Sequence, residues 1–124
     1  MREITRHHTN ECNRAITVDV LEDDKGEPHL YNVSWDHPEC EPDTDQVVVE
    51  LPFQHGPIKE AGVNGITNEV LLAIVIDRLE FFQKGKFANV YNGSALSHIV
   101  DALEILEQRT REREARGVEG THKL

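Results

Sequence analysis

The chain has little of the chemistry that marks several common classes of protein. Cys12 and Cys40 are its two cysteines in 124 residues, with no CxxC spacing, so we expect reduced thiols and no disulfide framework. No run reaches the roughly 18 consecutive apolar residues of a membrane span. The first residues lack the apolar stretch of a signal peptide. We therefore expect a cytosolic protein with no membrane contact.

Positive charge is scarce as well. Thirteen Lys and Arg residues against 23 Asp and Glu give a formal net charge of -10. Such a surface repels nucleic-acid polymers, which argues against a polymer-binding role but not against a small nucleotide held by a local arginine cluster. Only 38% of the residues are hydrophobic, and a small chain with long helices often completes its core by oligomerising.

The chain divides near Gly65 into a β-rich part, residues 1–65, and a helical part, residues 66–124. Alternating or β-branched runs at 15–21, 30–35 and 46–53 predict strands. Asp-Asp-Lys-Gly at 23–26 predicts a hairpin turn between the first two, and Pro52 places the end of the third at a sheet edge. Residues 58–63 could add a short strand, and residues 36–45, with two prolines and many acids, predict a solvated loop. We predict a small antiparallel sheet of three to five strands.

Two capped segments follow Gly65. The first predicted helix begins after Thr67 or Asn68 and ends before Gly85, which suits the position after a helix end. Its early part, residues 70–76, is entirely apolar. Such all-round hydrophobicity indicates that the helix is covered on several sides.

The second predicted helix is capped by Asn92, Gly93 or Ser94, runs to about Arg116 and stops at Gly117. Together the two helices form an αα-hairpin. The fold class is therefore α+β, with a small N-terminal antiparallel β-sheet followed by a C-terminal two-helix hairpin. The second helix would be about 35 Å long, more than a small sheet can cover. We therefore predict that a second copy covers part of it, giving at least a two-fold dimer.

Arginines continue the apolar face of the second helix. Apolar residues recur at helical spacing over 95–106, and Arg109 and Arg113 follow, four residues apart on one face. Two like charges at this spacing repel each other unless an anion lies between them. The pair predicts a pocket for a small anionic ligand. The alternative is a solvated helix end held by ion pairs such as Glu112 with Arg116.

Three sequence segments resemble those of a known family. They are GPIKEAGVNGITNE at 56–69, LAIVIDRL at 72–79, and RTRER with RGVEGTH between 109 and 122. In this order they closely resemble the phage anti-Thoeris sponge family, whose C-terminal hairpin is shared with anti-CBASS sponges. The resemblance covers about residues 54–122. Over the β-rich first half it rests on length and strand order.

The resemblance implies a protein that is not an enzyme and needs no cofactor. Such proteins bind and sequester a cyclic ADP-ribose isomer (glyco-cyclic ADP-ribose), made by bacterial Thoeris TIR proteins, without cleaving it. It also implies action in the host bacterial cytoplasm and assembly of dimers up to a hexamer. Because relatives are also associated with cyclic oligonucleotides, a sponge for cyclic di- or trinucleotides of CBASS-type immunity is the alternative. A structural phage protein without a ligand is the third hypothesis.

Four residues match the ligand pocket of the family: Phe82, Asn92, Arg109 and Arg113. An aromatic ring can stack on adenine, and an amide offers a hydrogen-bond donor and an acceptor. A guanidinium can bind phosphate through two parallel hydrogen bonds. From the residues alone, Phe82 is more often a core residue and Asn92 an N-cap. Many relatives carry Arg-Glu-Asn where this chain has Val-Tyr-Asn at 90–92, so the asparagine is kept and an arginine is lost.

Neither a metal site nor a catalytic site is predicted. The histidines at 7 and 8 lie near Cys12 and His37 lies near Cys40, but neither spacing matches a zinc signature. No Ser-His-Asp, Cys-His or paired-carboxylate arrangement stands out. The run Gly-Val-Asn-Gly at 62–65 could cradle a phosphate with backbone N–H groups, and a tight turn explains it equally well.

Overall fold

The computed structural model describes residues 1–38 and 46–124. Cys40 and most of the predicted loop at 36–45 lie outside the described residues. The elements in chain order are β1 (Arg2–Ile4), α1 (Glu11–Arg14), β2 (Thr17–Glu22), β3 (Pro28–Asp36), β4 (Gln46–Pro52), α2 (Ile58–Ala61), α3 (Asn68–Gln83) and α4 (Val90–Ala115). The fold is α+β, as predicted.

The strands form one antiparallel sheet in the order β1-β2-β3-β4. The predicted turn joins β2 to β3: the Asp23 carboxylate accepts the N–H groups of Lys25 and Glu27, and Gly26 adopts a φ of 81°. Pro52 pairs with Leu30 at the end of the edge strand β4, where the missing N–H is tolerated.

The interior of the sheet unit centres on Val20, the one fully buried side chain among the described residues. In the antiparallel register Val20 lies opposite Tyr31. The Tyr31 ring meets the Phe53 ring edge to face, with centroids 5.2 Å apart, an arrangement that favours aromatic pairs. These contacts link β2, β3 and the end of β4.

Three short elements differ from the prediction, and one of them, α1, is a helical turn too short to give a periodic pattern. Residues 58–63 do not form a strand; instead Pro57 precedes the helical turn α2, which ends before Gly62 at a φ of 70°. The physical reason is that Lys, Glu and Ala favour helix over strand, and that proline is well suited to a helix start. The strand β1 was not predicted, because Arg2–Ile4 is too short and too charged to show an alternating pattern.

The helical hairpin is confirmed at three of its four ends. The Thr67 hydroxyl accepts the N–H of Val70 at 3.3 Å and caps α3. Gly85 follows the last residues of α3, and Gly117, with a φ of 71°, follows the end of α4. These are the N-cap and glycine stop signals that the sequence carries.

The start of α4 differs from the prediction. Asn89 is the N-cap, and its side-chain oxygen accepts the N–H of Asn92 at 2.8 Å. Asn92, Gly93 and Ser94 therefore lie inside the first turns of the helix. Gln83 helps to fix this start, because its side-chain amide bonds both the N–H and the carbonyl oxygen of Asn89, at 3.0 and 3.1 Å.

The described chain separates into two compact units. One comprises residues 1–55 with 63–65, and the other residues 56–62 with 66–124. None of the helices in the described ranges combines the length and apolar character needed to cross a membrane.

Candidate functional site

Phe82 lies in an aromatic cluster near the C-terminal end of α3. Its ring contacts the Phe81 ring edge to face, with centroids 5.3 Å apart, and lies 6.2 Å from the Phe87 ring in the helix connection. Phe82 is half-buried, whereas Phe81 and Phe87 are exposed. The position leaves aromatic surface open to a planar ligand at the turn of the hairpin.

Cations surround this aromatic cluster. The Arg78 guanidinium carbon lies 5.6 Å from the centre of the Phe82 ring, and the Lys86 ammonium lies 5.3 Å from the centre of the Phe87 ring. Both distances are within the range of cation–π attraction. A third cation, Lys84, is exposed at the same turn.

Two adjoining clefts of about 330 and 340 Å³ share Phe81, Phe82 and Lys84. The first also has Asp77, Arg78 and Glu80 in its wall, and the second has Gly85, Lys86 and Phe87. The first is therefore charged and the second is mainly aromatic. An apolar surface beside cations suits a ligand with a base and a phosphate group. We name these nine lining residues the hairpin-turn cleft.

Asn92 lies in the first turn of α4. Its backbone N–H is bound by the Asn89 cap, but no hydrogen bond joins its half-buried side-chain amide to the described part of the chain. The amide thus keeps its donor and acceptor groups for another partner. The capping role that the sequence suggested for Asn92 belongs to Asn89 instead.

Arg113 and Arg109 have different surroundings. The Arg113 side chain is 11% exposed, and its Nε donates to a Glu119 carboxylate oxygen at 2.9 Å. Its terminal nitrogens donate to the carbonyl oxygens of Lys123 at 2.7 Å, Val118 at 3.1 Å and Thr121 at 3.2 Å. Arg113 therefore holds the segment after α4, residues 117–124, which we name the C-terminal tail.

Arg109, one helical turn earlier, is exposed. No hydrogen bond or ion pair engages its guanidinium within residues 1–38 and 46–124. The alternative suggested by the sequence, an ion-paired helix end, is seen at Arg116, which pairs with Glu112. Arg109 is thus the member of the predicted pair whose donors are available.

The four predicted ligand residues do not converge within one chain. Phe82 and Asn92 lie at the turn of the hairpin, whereas Arg109 is 17 residues along α4 from Asn92. At 1.5 Å per residue this corresponds to about 26 Å along the helix axis. A ligand that touches both groups must therefore bind two copies of the chain.

Asn64 and Gly65, in the run at 62–65, contact the segment that follows β4. The Asn64 side chain accepts the His55 N–H at 2.8 Å and donates to the His55 carbonyl oxygen at 2.7 Å. A side chain on Gly65 would bring its Cβ within 2.4 Å of the Phe53 carbonyl carbon. These contacts account for the asparagine and the glycine without a phosphate.

The sequence analysis missed part of the hairpin-turn cleft. Arg78, Lys84, Lys86 and Phe87 were not singled out, although the structure places them beside Phe82. The usable signal was the spacing of Arg78 and Phe82, which puts them on one face of α3. The position of Phe87 depends on the path of the connection and carried no such signal.

Comparison with known proteins identifies similar sequences over this part of the chain. Residues 45–111 match the family model described as Acb2/Tad1, hairpin domain. A curated protein named Thoeris anti-defense 1, from Bacillus phage SBSphiJ7, is 51% identical over 70 residues, which cover 56% of this chain and 49% of that protein. The matched segment thus spans about half the length of this relative. Both matches agree with the resemblance that the sequence phrases indicated.

Proposed function

Because this chain belongs to the Acb2/Tad1 hairpin-domain family, we propose that it is a phage anti-defence sponge that sequesters a small-molecule immune signal. The proposed ligand is a cyclic ADP-ribose isomer, glyco-cyclic ADP-ribose, made by Thoeris TIR proteins in the host bacterial cytoplasm. The protein binds it without cleavage and without a cofactor. The observation that carries the proposal is the hairpin-turn cleft, where Phe82 lies among cations in a chain of net charge -10.

The chemistry of the cleft matches the parts of such a ligand. Adenine presents a flat face that stacks on Phe82, and the pyrophosphate presents oxygens to Arg78 and Lys84. The Asn92 amide can pair with a base edge or a ribose hydroxyl. The cleft contains the cations Arg78, Lys84 and Lys86 and the acids Asp77 and Glu80. This excess of one positive charge attracts an anion that the acidic remainder of the surface repels.

We also propose a contact between the ligand and Arg109 of another copy of the chain. Its guanidinium has no partner among the described residues and can bind phosphate as a fork. Arg113 is the fourth proposed ligand residue. For Arg113 to touch phosphate, it must exchange at least one carbonyl partner in the C-terminal tail for a phosphate oxygen.

Titration calorimetry with glyco-cyclic ADP-ribose tests the stacking contact. Base–aromatic stacking contributes about 1–3 kcal/mol, so Phe82→Ala should weaken affinity about 5- to 150-fold. Phe82→Leu keeps an apolar side chain but removes the aromatic face, and it should lose most of the same affinity. Full affinity in both variants would place the ligand elsewhere.

The arginine contact has a matched control on the same helix. A hydrogen bond to a charged group contributes about 1.5–3 kcal/mol, so Arg109→Ala should weaken binding about 10- to 150-fold. Arg111→Ala removes an equal charge from another side of α4 and should change affinity far less. Equal losses in the two variants would indicate general electrostatics and contradict a specific contact.

The shared pocket requires a homo-oligomer, at least a two-fold dimer and up to a hexamer. The support lies in the helices: α3 and α4 contain no fully buried residue, although α3 is strongly apolar. Val70, Ile74 and Phe81 lie within about 40° of one another around α3, and all three are exposed, Ile74 at 53%. Leaving this stripe in water is unfavourable, and a second copy would cover it.

Light scattering tests the assembly. The native protein should show at least twice the 14.1 kDa chain mass at micromolar concentration. Ile74→Asp places a charge on the exposed stripe and should shift the mass toward a single chain, while Gln108→Asp on α4 serves as a charge-matched control. A single-chain mass for the native protein would contradict the oligomer.

Complementation between variants tests whether one pocket uses two chains. Co-expressed Phe82→Ala and Arg109→Ala chains form mixed dimers, each with one intact and one doubly altered pocket. With random pairing in a symmetric dimer, roughly one pocket in four regains native affinity. Regained sites support a shared pocket. No regained binding would place all contacts within one chain.

Parallel titrations with cyclic di- and trinucleotides test the alternative ligand class. The proposal predicts tightest binding for the ADP-ribose isomer. Tighter binding of a cyclic oligonucleotide at the same residues would favour a CBASS-directed sponge. No binding of any cyclic nucleotide would favour a structural phage protein.

A further inference from the structure

At the end of the sheet that holds the β2–β3 turn, the structure brings the His55 imidazole to imidazole and carboxylate groups that come 26 to 32 residues earlier in the sequence. Asp23 lies in the β2–β3 turn, His29 near the start of β3, and His55 shortly after β4. The Phe53 N–H donates to the His29 carbonyl oxygen at 2.7 Å, which continues the pairing beyond β4 and brings the following residues close. The Asn64 amide then fixes the His55 backbone through two hydrogen bonds.

The polar atoms of these side chains point toward one another. Nε2 of His29 lies 3.3 Å from Oδ2 of Asp23 and 3.2 Å from Oε2 of Glu27. Nε2 of His55 lies 3.6 Å from the same Asp23 oxygen. The candidate donor atoms of Asp23, His29 and His55 all lie within 4.8 Å of one another. Two imidazoles and the Asp23 carboxylate thus surround one small volume, and the Glu27 carboxylate lies beside it against His29.

The His29 nitrogen contacts Glu27 through a hydrogen bond and Asp23 at ion-pair distance, and both separations also equal the spacing of donors around a tetrahedral metal ion. Two donors that are each about 2.0–2.1 Å from zinc, at a tetrahedral angle, lie about 3.3 Å apart. The contacts of the His29 nitrogen with Asp23 and Glu27 match this value closely, and the His55–Asp23 contact is slightly longer. Imidazole nitrogen and carboxylate oxygen form a common zinc donor set.

Hydrogen bonds within the β2–β3 turn orient the Asp23 carboxylate. Its Oδ1 accepts the N–H groups of Glu27 and Lys25, both at 2.9 Å, while Oδ2 faces the two histidines. The hydrogen bond from the Glu27 N–H holds the pKa of Asp23 below its ordinary value, with that from Lys25 adding to the effect.

We propose that Asp23, His29 and His55, with Glu27 as a fourth ligand, form a binding site for a divalent transition-metal ion of the zinc type. The His29 and His55 rings are stacked, 3.7 Å apart and 12° from parallel, so one must turn to aim both nitrogens at a single ion. His55 can turn, because its side chain is 57% exposed. The ion stabilises this end of the sheet by linking the β2–β3 turn to the segment after β4.

Sequence spacing concealed this site. The candidates raised from sequence, the histidines at 7 and 8 with Cys12 and His37 with Cys40, are close together along the chain. The proposed ligands come from two separate segments, residues 23–29 and His55. The pair at 7 and 8 has a different environment, since both Nε2 atoms face the Ile16 carbonyl oxygen, at 2.7 and 3.2 Å.

The test is zinc titration of the full chain after removal of metal with a chelator, at neutral pH, read by calorimetry. The native protein should bind one zinc per chain. Asp23→Asn keeps an Oδ1 acceptor for the turn but replaces Oδ2 with an amide nitrogen, which is not a zinc ligand. It should weaken zinc binding at least tenfold, and His55→Ala, at an exposed position, should do the same.

Two controls exclude binding by histidines or acids in general. Asp24→Asn removes the neighbouring carboxylate, and the double change His7→Gln with His8→Gln removes the other histidine pair. Both should keep native zinc affinity. NMR of the imidazole protons should show zinc-dependent shifts at His29 and His55 and none at His98.

Three results would overturn the proposal. One is no zinc uptake by the native chain at 100-fold molar excess. Another is unchanged affinity in both Asp23→Asn and His55→Ala. The third is zinc shifts at histidines other than 29 and 55, which would show binding elsewhere.

Discussion

Replacing Arg113 by alanine should release the C-terminal tail while leaving α4 folded. The side chain is 11% exposed and donates to one carboxylate and three carbonyl oxygens. Each hydrogen bond to a charged group contributes about 1.5–3 kcal/mol, but the contributions do not add in full, since water reaches the carbonyl groups once the tail loosens. We expect about 2–4 kcal/mol of lost local stability, an increase of about 30- to 700-fold in opening of the tail.

Amide hydrogen exchange measures this opening directly. The Val118 N–H donates to the Arg113 carbonyl oxygen at 3.0 Å, and the Thr121 N–H donates to the Val118 carbonyl oxygen at 3.2 Å. Both amides should exchange at least tenfold faster in Arg113→Ala, whereas Arg109→Ala should leave them unchanged. Arg113→Lys keeps the charge but cannot reproduce the fork, so it should restore little. Native exchange of both amides in Arg113→Ala would refute this account of the tail.

Three further substitutions test how the fold is held together. Gly65→Ala should destabilise the protein by about 3 kcal/mol or more, lowering Tm in calorimetry, because the new Cβ would lie 2.4 Å from the Phe53 carbonyl carbon; an unchanged Tm would show that the turn adjusts freely. Asn89→Ala should cost about 1 kcal/mol in urea unfolding through loss of the N-cap. Asn92→Ala should have little effect on stability but weaken ligand binding, and equal costs of the two asparagine changes would contradict the assignment of the cap.

Local sequence signals predicted those parts of the fold that local chemistry determines. Thr67, Gly85 and Gly117 marked three ends of the hairpin because capping and helix-stop signals act within a few residues, and Gly117 has the left-handed φ of such a stop. The start of α4 was misplaced because several residues could cap it, and Gln83, in the preceding helix, helps to fix Asn89 as the cap. No local pattern in the sequence contains that contact.

The candidate site was predictable in its residue types but not in its arrangement. The resemblance selected Phe82 and Arg109, while the structure adds Arg78 and Phe87 around the aromatic ring. The contacts of Arg113 could not be foreseen, because they require the chain to turn back after α4 and present its carbonyl groups. The Asp23, His29 and His55 group depends in the same way on sheet register.

Helix periodicity also predicted more coverage of α3 than one chain provides. The apolar run at 70–76 indicated a helix covered on several sides, yet Val70, Ile74 and Val75 are all exposed. The apolar sequence pattern and the exposure of α3 in one chain agree if a second copy covers the helix. The exposed apolar residues of α3 thus support the proposed oligomer.

The central claim is that the protein sequesters an immune signal and returns it unchanged. The direct measurement is to incubate the protein with glyco-cyclic ADP-ribose, remove unbound nucleotide, denature the protein by heat and analyse the released small molecules by mass spectrometry. The account predicts intact cyclic ADP-ribose isomer in stoichiometric amount from the native protein and much less from Phe82→Ala. Recovery of a cleaved nucleotide, or of none, would contradict it.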